Sequence, residues 1–385
     1  MQKSKVVETL KNSLEEFRKE LHQYPEVSGK EYETQKRIKA YLTKNTSCKV
    51  VEVASTGVIA IFEGKKAGKT VMLRADIDAL PIQEKNTFQH QSINKKISHK
   101  CGHDGHTTIM IGVANMLTKH PIEEGKVLLL FQPSEENGKG AAAVLKDPFF
   151  KKIKIDFVFA LHNLPGFAKH EIVVKNKTFT SNVKSVVIQL SGKTAHAAEP
   201  EKGYNPSNAI AEILIFAELE SKNFPESQDF LLVTPIYITM GEKAYGISAG
   251  YGEVHLTLRG WDTNLMEEKR EKLEELINQL EKKHSLVIKT SWFEEFYSNK
   301  NDEEAVSIIK KSAEQNKLSV NNIKTPFKWG EDFGLFTQKY KGAMFGLGAG
   351  ESIPALHNPD YDFPNDIIMT GVQLFHSIVK EVLKS

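Results

Sequence analysis

Apolar residues recur along the first stretch of the chain at spacings of three and four: Val7, Leu10, Leu14, Phe17 and Leu21. That period marks one face of an amphipathic helix. Tyr24-Pro25 ends it, because the residue before a proline resists the helical region. Short apolar runs follow at Val50 to Val53, Val58 to Phe62, Val71 to Leu73, Val127 to Phe131 and Phe157 to Leu161. Helical stretches alternate with several of them, notably Thr107 to Leu117 and Gly140 to Leu145. Apolar strands alternating with helices predict an α/β layer around a largely buried sheet.

The pattern changes near Asn182. Val183 to Leu190, Leu231 to Thr239, Tyr251 to Arg259 and Ser285 to Thr290 read as strands. Pro206 to Ser221 and the charged stretch Asn264 to Lys283 read as helices. The order βαββαβ is that of a ferredoxin-like α+β unit, complete in itself. Helix and strand resume from Asp302. The chain therefore reads as an α/β domain with a largely parallel sheet, residues 1–181 and 294–385, interrupted by a ferredoxin-like domain over residues 182–293. No tandem repeat or low-complexity segment occurs.

Composition enters by exclusion. Of 385 residues, 40% are hydrophobic and 26% charged, an ordinary globular balance with enough apolar material for a large core. A formal net charge of +2 and the lack of a long basic block leave no electrostatic footprint for nucleic acid. No apolar run approaches the roughly 20 residues of a membrane helix. The N-terminus enters a charged helix rather than the apolar core of a signal peptide. Two cysteines, Cys48 and Cys101, do not make a disulfide framework, and the expected home is reducing and cytoplasmic.

The densest chemical signal is His99-Lys100-Cys101-Gly102-His103-Asp104-Gly105-His106. A thiolate and an imidazole two residues apart reach one metal when the backbone between them is not helical, and Gly102 permits such a turn. Cysteine with histidine selects a borderline-to-soft ion such as Zn, Mn, Co or Ni over Mg or Ca. A lone Cys-x-His is more often a buried cysteine beside a solvated histidine. Three histidines, a cysteine and an aspartate within eight residues favour a metal.

Glu135 and Glu136 follow the apolar run ending at Phe131, where carboxylates meet ligands at the mouths of parallel strands. Adjacent residues there point apart, so one can bind metal while the other faces a reacting water. Alone, such a pair is a solvated loop. His162 follows the run Phe157 to Leu161, and His357 sits in Leu356-His357-Asn358-Pro359. Cys101, His103, Glu136, His162 and His357 together supply donors enough for two metals that share a bridge. Asp76, in Arg74-Ala75-Asp76, has two open readings: it holds a ligand histidine in the right tautomer, or it pairs with Arg74.

These motifs resemble the amidohydrolase branch of the aminoacylase metallopeptidase family, which includes hippurate hydrolases and indole-acetyl-amino-acid hydrolases. The resemblance covers nearly the whole chain, through His22 to Glu26, Arg74 to Pro81, Cys101 to His106, Gln132 to Glu136, Leu161-His162, Gly192 to Pro200, Gly330 to Phe333 and Leu356-His357. It implies that Cys101, His103, Glu136, His162 and His357 ligate two divalent ions per subunit. It implies Glu135 as general base and an inserted domain that serves as lid and dimerisation domain of a homodimer. His196, in Ala195 to Pro200, matches a histidine that stabilises the oxyanion. Arg259 matches an arginine suited to a carboxylate. One departure stands out. Gly246 and Ala249 occupy positions where the family often has asparagine and proline, which bears on substrate class.

The expected activity is hydrolysis of the amide bond of an N-acyl amino acid or similar small amide. A dipeptidase or aminopeptidase of the same family is the first competitor. A non-catalytic metal- or ligand-binding relative is the second, and the presence of Glu135 argues against it.

Overall fold

The computed structural model describes residues 2–384, with side chains described from Glu8 onward, so Val7 of the predicted helix face lies outside the described side chains. The first helix runs Gln2–Gln23. Leu14 and Leu21 on its inner face are buried, with Leu10 and Phe17 nearly so. Two compact units emerge. One comprises residues 2–179, 299–323 and 332–384; the other comprises residues 180–298 and 324–331.

In the first unit an eight-stranded mixed sheet has the order Lys49–Val53, Gly57–Glu63, Glu124–Gln132, Lys66–Asp76, Phe157–Pro165, Lys341–Gly350, Ile172–Val174, Val320–Asn322. The three pairings at its centre, from Glu124–Gln132 to Lys341–Gly350, are parallel. The Lys49–Val53 and Gly57–Glu63 strands add on antiparallel. Burial explains the continuous apolar runs: along Lys66–Asp76, Val71, Leu73 and Ala75 join the main apolar cluster, while Met72 and Arg74 are equally buried outside it. A sheet covered on both faces has no side on which alternation can show. The helices His103–Lys119 and Ile368–Leu383 pack on each other and bury Ile109, Val113, Val372 and Phe375 in that cluster.

Parallel central strands end on one side, and the predicted metal donors and Glu135 cluster there. Asp76 closes one strand, Gln132 closes the next just before Glu135 and Glu136, and His357 lies shortly after Gly350. His162 was expected just past a strand. It lies within one, because that strand continues to Pro165 beside Lys341–Gly350.

The second unit is a four-stranded antiparallel sheet in the order Leu231–Met240, Tyr251–Gly260, Asn182–Ser191, Val287–Phe296. Its helices Ser207–Glu220 and Thr263–His284 share a separate apolar cluster with Val186, Ile188, Val254 and Leu256. Asp262 caps the second helix by accepting from the amides of Asn264 and Leu265. Chain order and strand order are those of a ferredoxin-like unit. No helix among the described residues is long and apolar enough to cross a membrane.

Candidate metal centre

Gly102 builds the first part of the site. Its φ of +97° turns the chain between Cys101 and the helix that starts at His103, so thiol and imidazole converge although the helix takes only the second of them. A β-carbon at Gly102 would stand 2.4 Å from Asn163 Oδ1. Gly102→Ala is therefore expected to destabilise the protein by at least about 1–2 kcal/mol, the cost of a left-handed alanine, before any clash is relieved. Urea unfolding measures it, and an unchanged midpoint would show that this turn is not constrained.

Cys101 Sγ lies 3.5 Å from His162 Nε2. The other ring nitrogen of His162 donates to the Asn163 carbonyl at 2.9 Å, which points Nε2 at the thiol. His103 Nδ1 donates to the Asp78 carbonyl at 2.9 Å, which leaves Nε2 facing Glu136 Oε1 at 3.7 Å. Both of these facing atoms are buried and have no hydrogen-bond partner among the described residues. His357 Nε2 stands 3.9 Å from Glu136 Oε2, held from behind by its own amide, which donates to the Lys100 carbonyl at 2.7 Å. Its backbone is left-handed at φ +67°. Donor atoms of Cys101, His103 and His162 lie within 4.8 Å of one another, as do those of Cys101, Glu136 and His357, and those of His103, Glu135 and Glu136. All five residues expected to bind metal, and Glu135, are thus brought together in one unit.

The electrostatics suit a cation. Burial, with Asp78 and Asp76 nearby, pushes the Glu136 carboxyl up to about 8 against the pull of His103. Burial also drives the Cys101 thiol well above its ordinary value, and Glu136 adds to it. Burial, then neighbouring His106, holds the His162 ring well below the usual histidine range. Burial opposes charge on His103, yet Asp76 and Cys101 keep it well above that range. A thiol and a carboxyl that resist ionisation, with ring nitrogens of His162 and His103 facing them, form a donor set that a divalent ion satisfies at once. The set fits such an ion on these grounds.

Two carboxylates divide the supporting contacts. Asp76 accepts from His106 Nδ1 at 2.6 Å and from Arg74 Nη1 at 2.8 Å, and lies 3.7 Å from His103 Nε2. Asp78, absent from the residues singled out in the sequence, stands 3.3 Å from His103 Nδ1 and accepts the Glu136 amide at 3.1 Å. His106 was likewise not singled out as a site residue, although its Nε2 meets Asn163. The alternation of two that links Asp76 to Asp78 was the available signal, but it says nothing about which histidine each meets.

The remaining two predicted residues lie in the second unit. His196 is exposed on a short strand, opposite Ile247, and its Nδ1 accepts from the Ala198 amide at 3.1 Å. Nε2 is the nitrogen left to face a ligand. Arg259 donates to the Lys328 carbonyl at 2.9 Å, and burial lowers its pKa while Glu294 opposes the shift. At Gly246, among the described residues, nothing comes within 4 Å of where a β-carbon would stand.

A family model described as peptidase family M20/M25/M40 matches residues 72–381. The chain is 31% identical over 382 residues to an N-acetyl-L-cysteine deacetylase of Bacillus subtilis (strain 168), covering 98% of this chain and 90% of the relative. It is 27% identical to a hippurate hydrolase of Campylobacter jejuni, covering 97% of this chain and 98% of the relative. Among solved structures, the YXEP protein of Bacillus subtilis, described as a dinuclear metal binding peptidase from the M20 family, superposes with a TM-score of 0.84 at 26% identity. That match covers 98% of this chain and 99% of the other.

Proposed function

This chain belongs to peptidase family M20/M25/M40 and is a hydrolase of amide bonds, and on that premise we propose that it cleaves small N-acylated amino acids using two divalent transition-metal ions. Zn, Mn, Co and Ni all suit the donors. The observation that carries the reading is the pair of donor triplets, Cys101-His103-His162 and Cys101-Glu136-His357, which share one thiol. Cys101, His103, Glu136, His162 and His357 would hold the two ions. The dinuclear relative and the N-acyl amino acid hydrolases among the relatives support the same reading.

When bound, such ions polarise a carbonyl and bring the pKa of a water toward ~7. The chain supplies the proton handling. Glu135 is buried beside His103 and Glu136. It takes a proton from the attacking water as the water oxygen bonds the carbonyl carbon. It returns that proton to the nitrogen as the C–N bond breaks, leaving a carboxylic acid and an amine, and the acid's remaining proton then passes to the amine to give carboxylate and ammonium. His196 Nε2 stabilises the developing oxyanion, and Arg259 binds the substrate carboxylate. Gly246 stands where the family often places an asparagine, which bears on the substrate class.

The protein works as a homodimer joined through the second unit. Leu231–Met240 is an edge strand with one neighbour, and Ile236, Tyr237, Ile238 and Met240 along it are exposed. The adjoining helix exposes Ile215 and Leu219. An unpaired apolar edge of this kind needs a cover, and a second copy around a twofold axis provides one. Cys48 and Cys101 are free thiols, in keeping with a reducing cytoplasm.

Metal-stripped protein should be inactive and should recover with one of the four ions, when tested on N-acetyl, N-benzoyl and N-indoleacetyl amino acids beside the matching dipeptides. Cys101→Ser should weaken metal binding, because the thiolate is the softest donor. Hydrolysis that survives chelation, in protein found metal-free by elemental analysis, would remove the reading. Faster turnover of dipeptides than of N-acyl amino acids would instead make it a peptidase.

A further inference from the structure

Glu135 and Glu136 owe their directions to Ser134, and Ser134 holds an unusual backbone. Its φ is +56°, a left-handed conformation that costs a non-glycine residue about 1 kcal/mol or more. Something must hold it there. The group that does so comes from the turn between the first two helices, more than a hundred residues earlier. Glu31 is fully buried, and its Oε1 accepts from the Ser134 amide at 2.9 Å and from the Ser134 hydroxyl at 3.3 Å. The same oxygen accepts from the Gly29 amide at 2.8 Å, and Oε2 accepts from the Thr56 hydroxyl at 2.7 Å.

The same turn reaches the other end of the tripeptide. Ser28 Oγ donates to Asp78 Oδ2 at 2.7 Å, and that oxygen accepts the Glu136 amide at 3.1 Å. The segment Ser134 to Glu136 is thus gripped at both ends from residues 28–31. Glu31 has no salt bridge among the described residues, and burial raises its pKa, so a carboxylate is kept there at an energetic cost.

We infer that Glu31 is a positioning residue for this site: by holding Ser134 in its left-handed turn, it aims Glu135 at the reacting water and Glu136 at the metal. The inference rests on the metal-dependent reading above. Glu31's hydrogen bonds go to Gly29, Thr56 and Ser134, so it acts on the centre through the Ser134 turn. A displacement of ~1 Å in a catalytic group costs on the order of 10² in rate, and loss of supporting contacts behind a ligand costs 10–100-fold in metal affinity.

The test combines metal titration of stripped protein with kinetics and a crystal structure. Glu31→Ala is expected to weaken metal binding by about tenfold or more and lower kcat about 10–100-fold with KM shifted much less. Glu31→Gln keeps an oxygen for the Ser134 and Gly29 amides and should stay within about threefold of wild type, a rescue that mere filling of space by Glu31 does not predict. Adding Ser134→Gly to Glu31→Ala should restore part of the loss, because glycine adopts the left-handed turn unaided. Should Glu31→Ala not fold, Glu31→Asp, which keeps the charge but falls one methylene short of Ser134, should show the same losses. The idea is overturned if the variant crystal structure keeps Ser134 left-handed with Glu135 and Glu136 unmoved, or if both affinities and kcat stay at wild-type values while only thermal stability drops. A wild-type protein that takes up no metal would overturn the metal reading and this inference together. Two ions bound equally well by wild type and Glu31→Ala would overturn this inference alone.

Discussion

Glu135→Gln should retain both metal ions and substrate binding yet lose on the order of 10²–10⁴ in rate, the range general acid–base catalysis supplies. The amide matches the carboxyl in shape and can occupy the same buried position beside His103 and Glu136. It cannot take up the water's proton, so the loss falls on kcat. Glu136→Gln should behave differently. Its Oε1 faces His103 Nε2 at 3.7 Å and its Oε2 faces His357 Nε2 at 3.9 Å. Removing that negative charge would remove a proposed metal ligand, so metal content should fall with activity. Elemental analysis beside steady-state kinetics separates the two. Metal lost with Glu135→Gln and kept with Glu136→Gln would exchange the two roles.

Two inactive variants, mixed, should recover activity. His196 lies in the second unit and every proposed metal donor in the first. A histidine must come within about 3 Å of the developing oxyanion to stabilise it. In a twofold dimer the partner's second unit can supply that ring. His196→Ala keeps an intact metal centre, and Glu135→Ala keeps an intact His196. After subunit exchange at equal amounts, half of the dimers are mixed, and each holds one complete site. Activity should therefore rise from near zero to about a quarter of wild type. A mixture that stays dead after proven exchange, or a fully active monomer, would place His196 over its own subunit's metals and leave the two-metal chemistry standing.

Local pattern carried far in this chain. The spacing of Leu10, Leu14, Phe17 and Leu21 located the first helix, and the order of strands and helices from Asn182 onward described a ferredoxin-like unit. These features repeat at 3.6 or 2 residues and so are written in neighbouring positions. The proposed donors stand out in the sequence for a related reason. Cys101, His103 and Glu136 stand in short segments at element ends, where the backbone leaves regular structure and side chains can converge. What the sequence by itself determined was thus the elements, the donor types and the reaction class they suit. Tertiary structure alone decided how the carboxylates are shared: Asp78 rather than Asp76 beside His103 Nδ1, Asp76 on His106, and Glu31 on Ser134. It also decided that the strand holding His162 runs on to Pro165, and that Lys324–Glu331 returns to the second unit. Each of those contacts joins residues 25 to more than 100 positions apart. A side chain's partner at such separations depends on which strands lie side by side and on where a turn such as that at Gly102 points the chain, and no residue period encodes either.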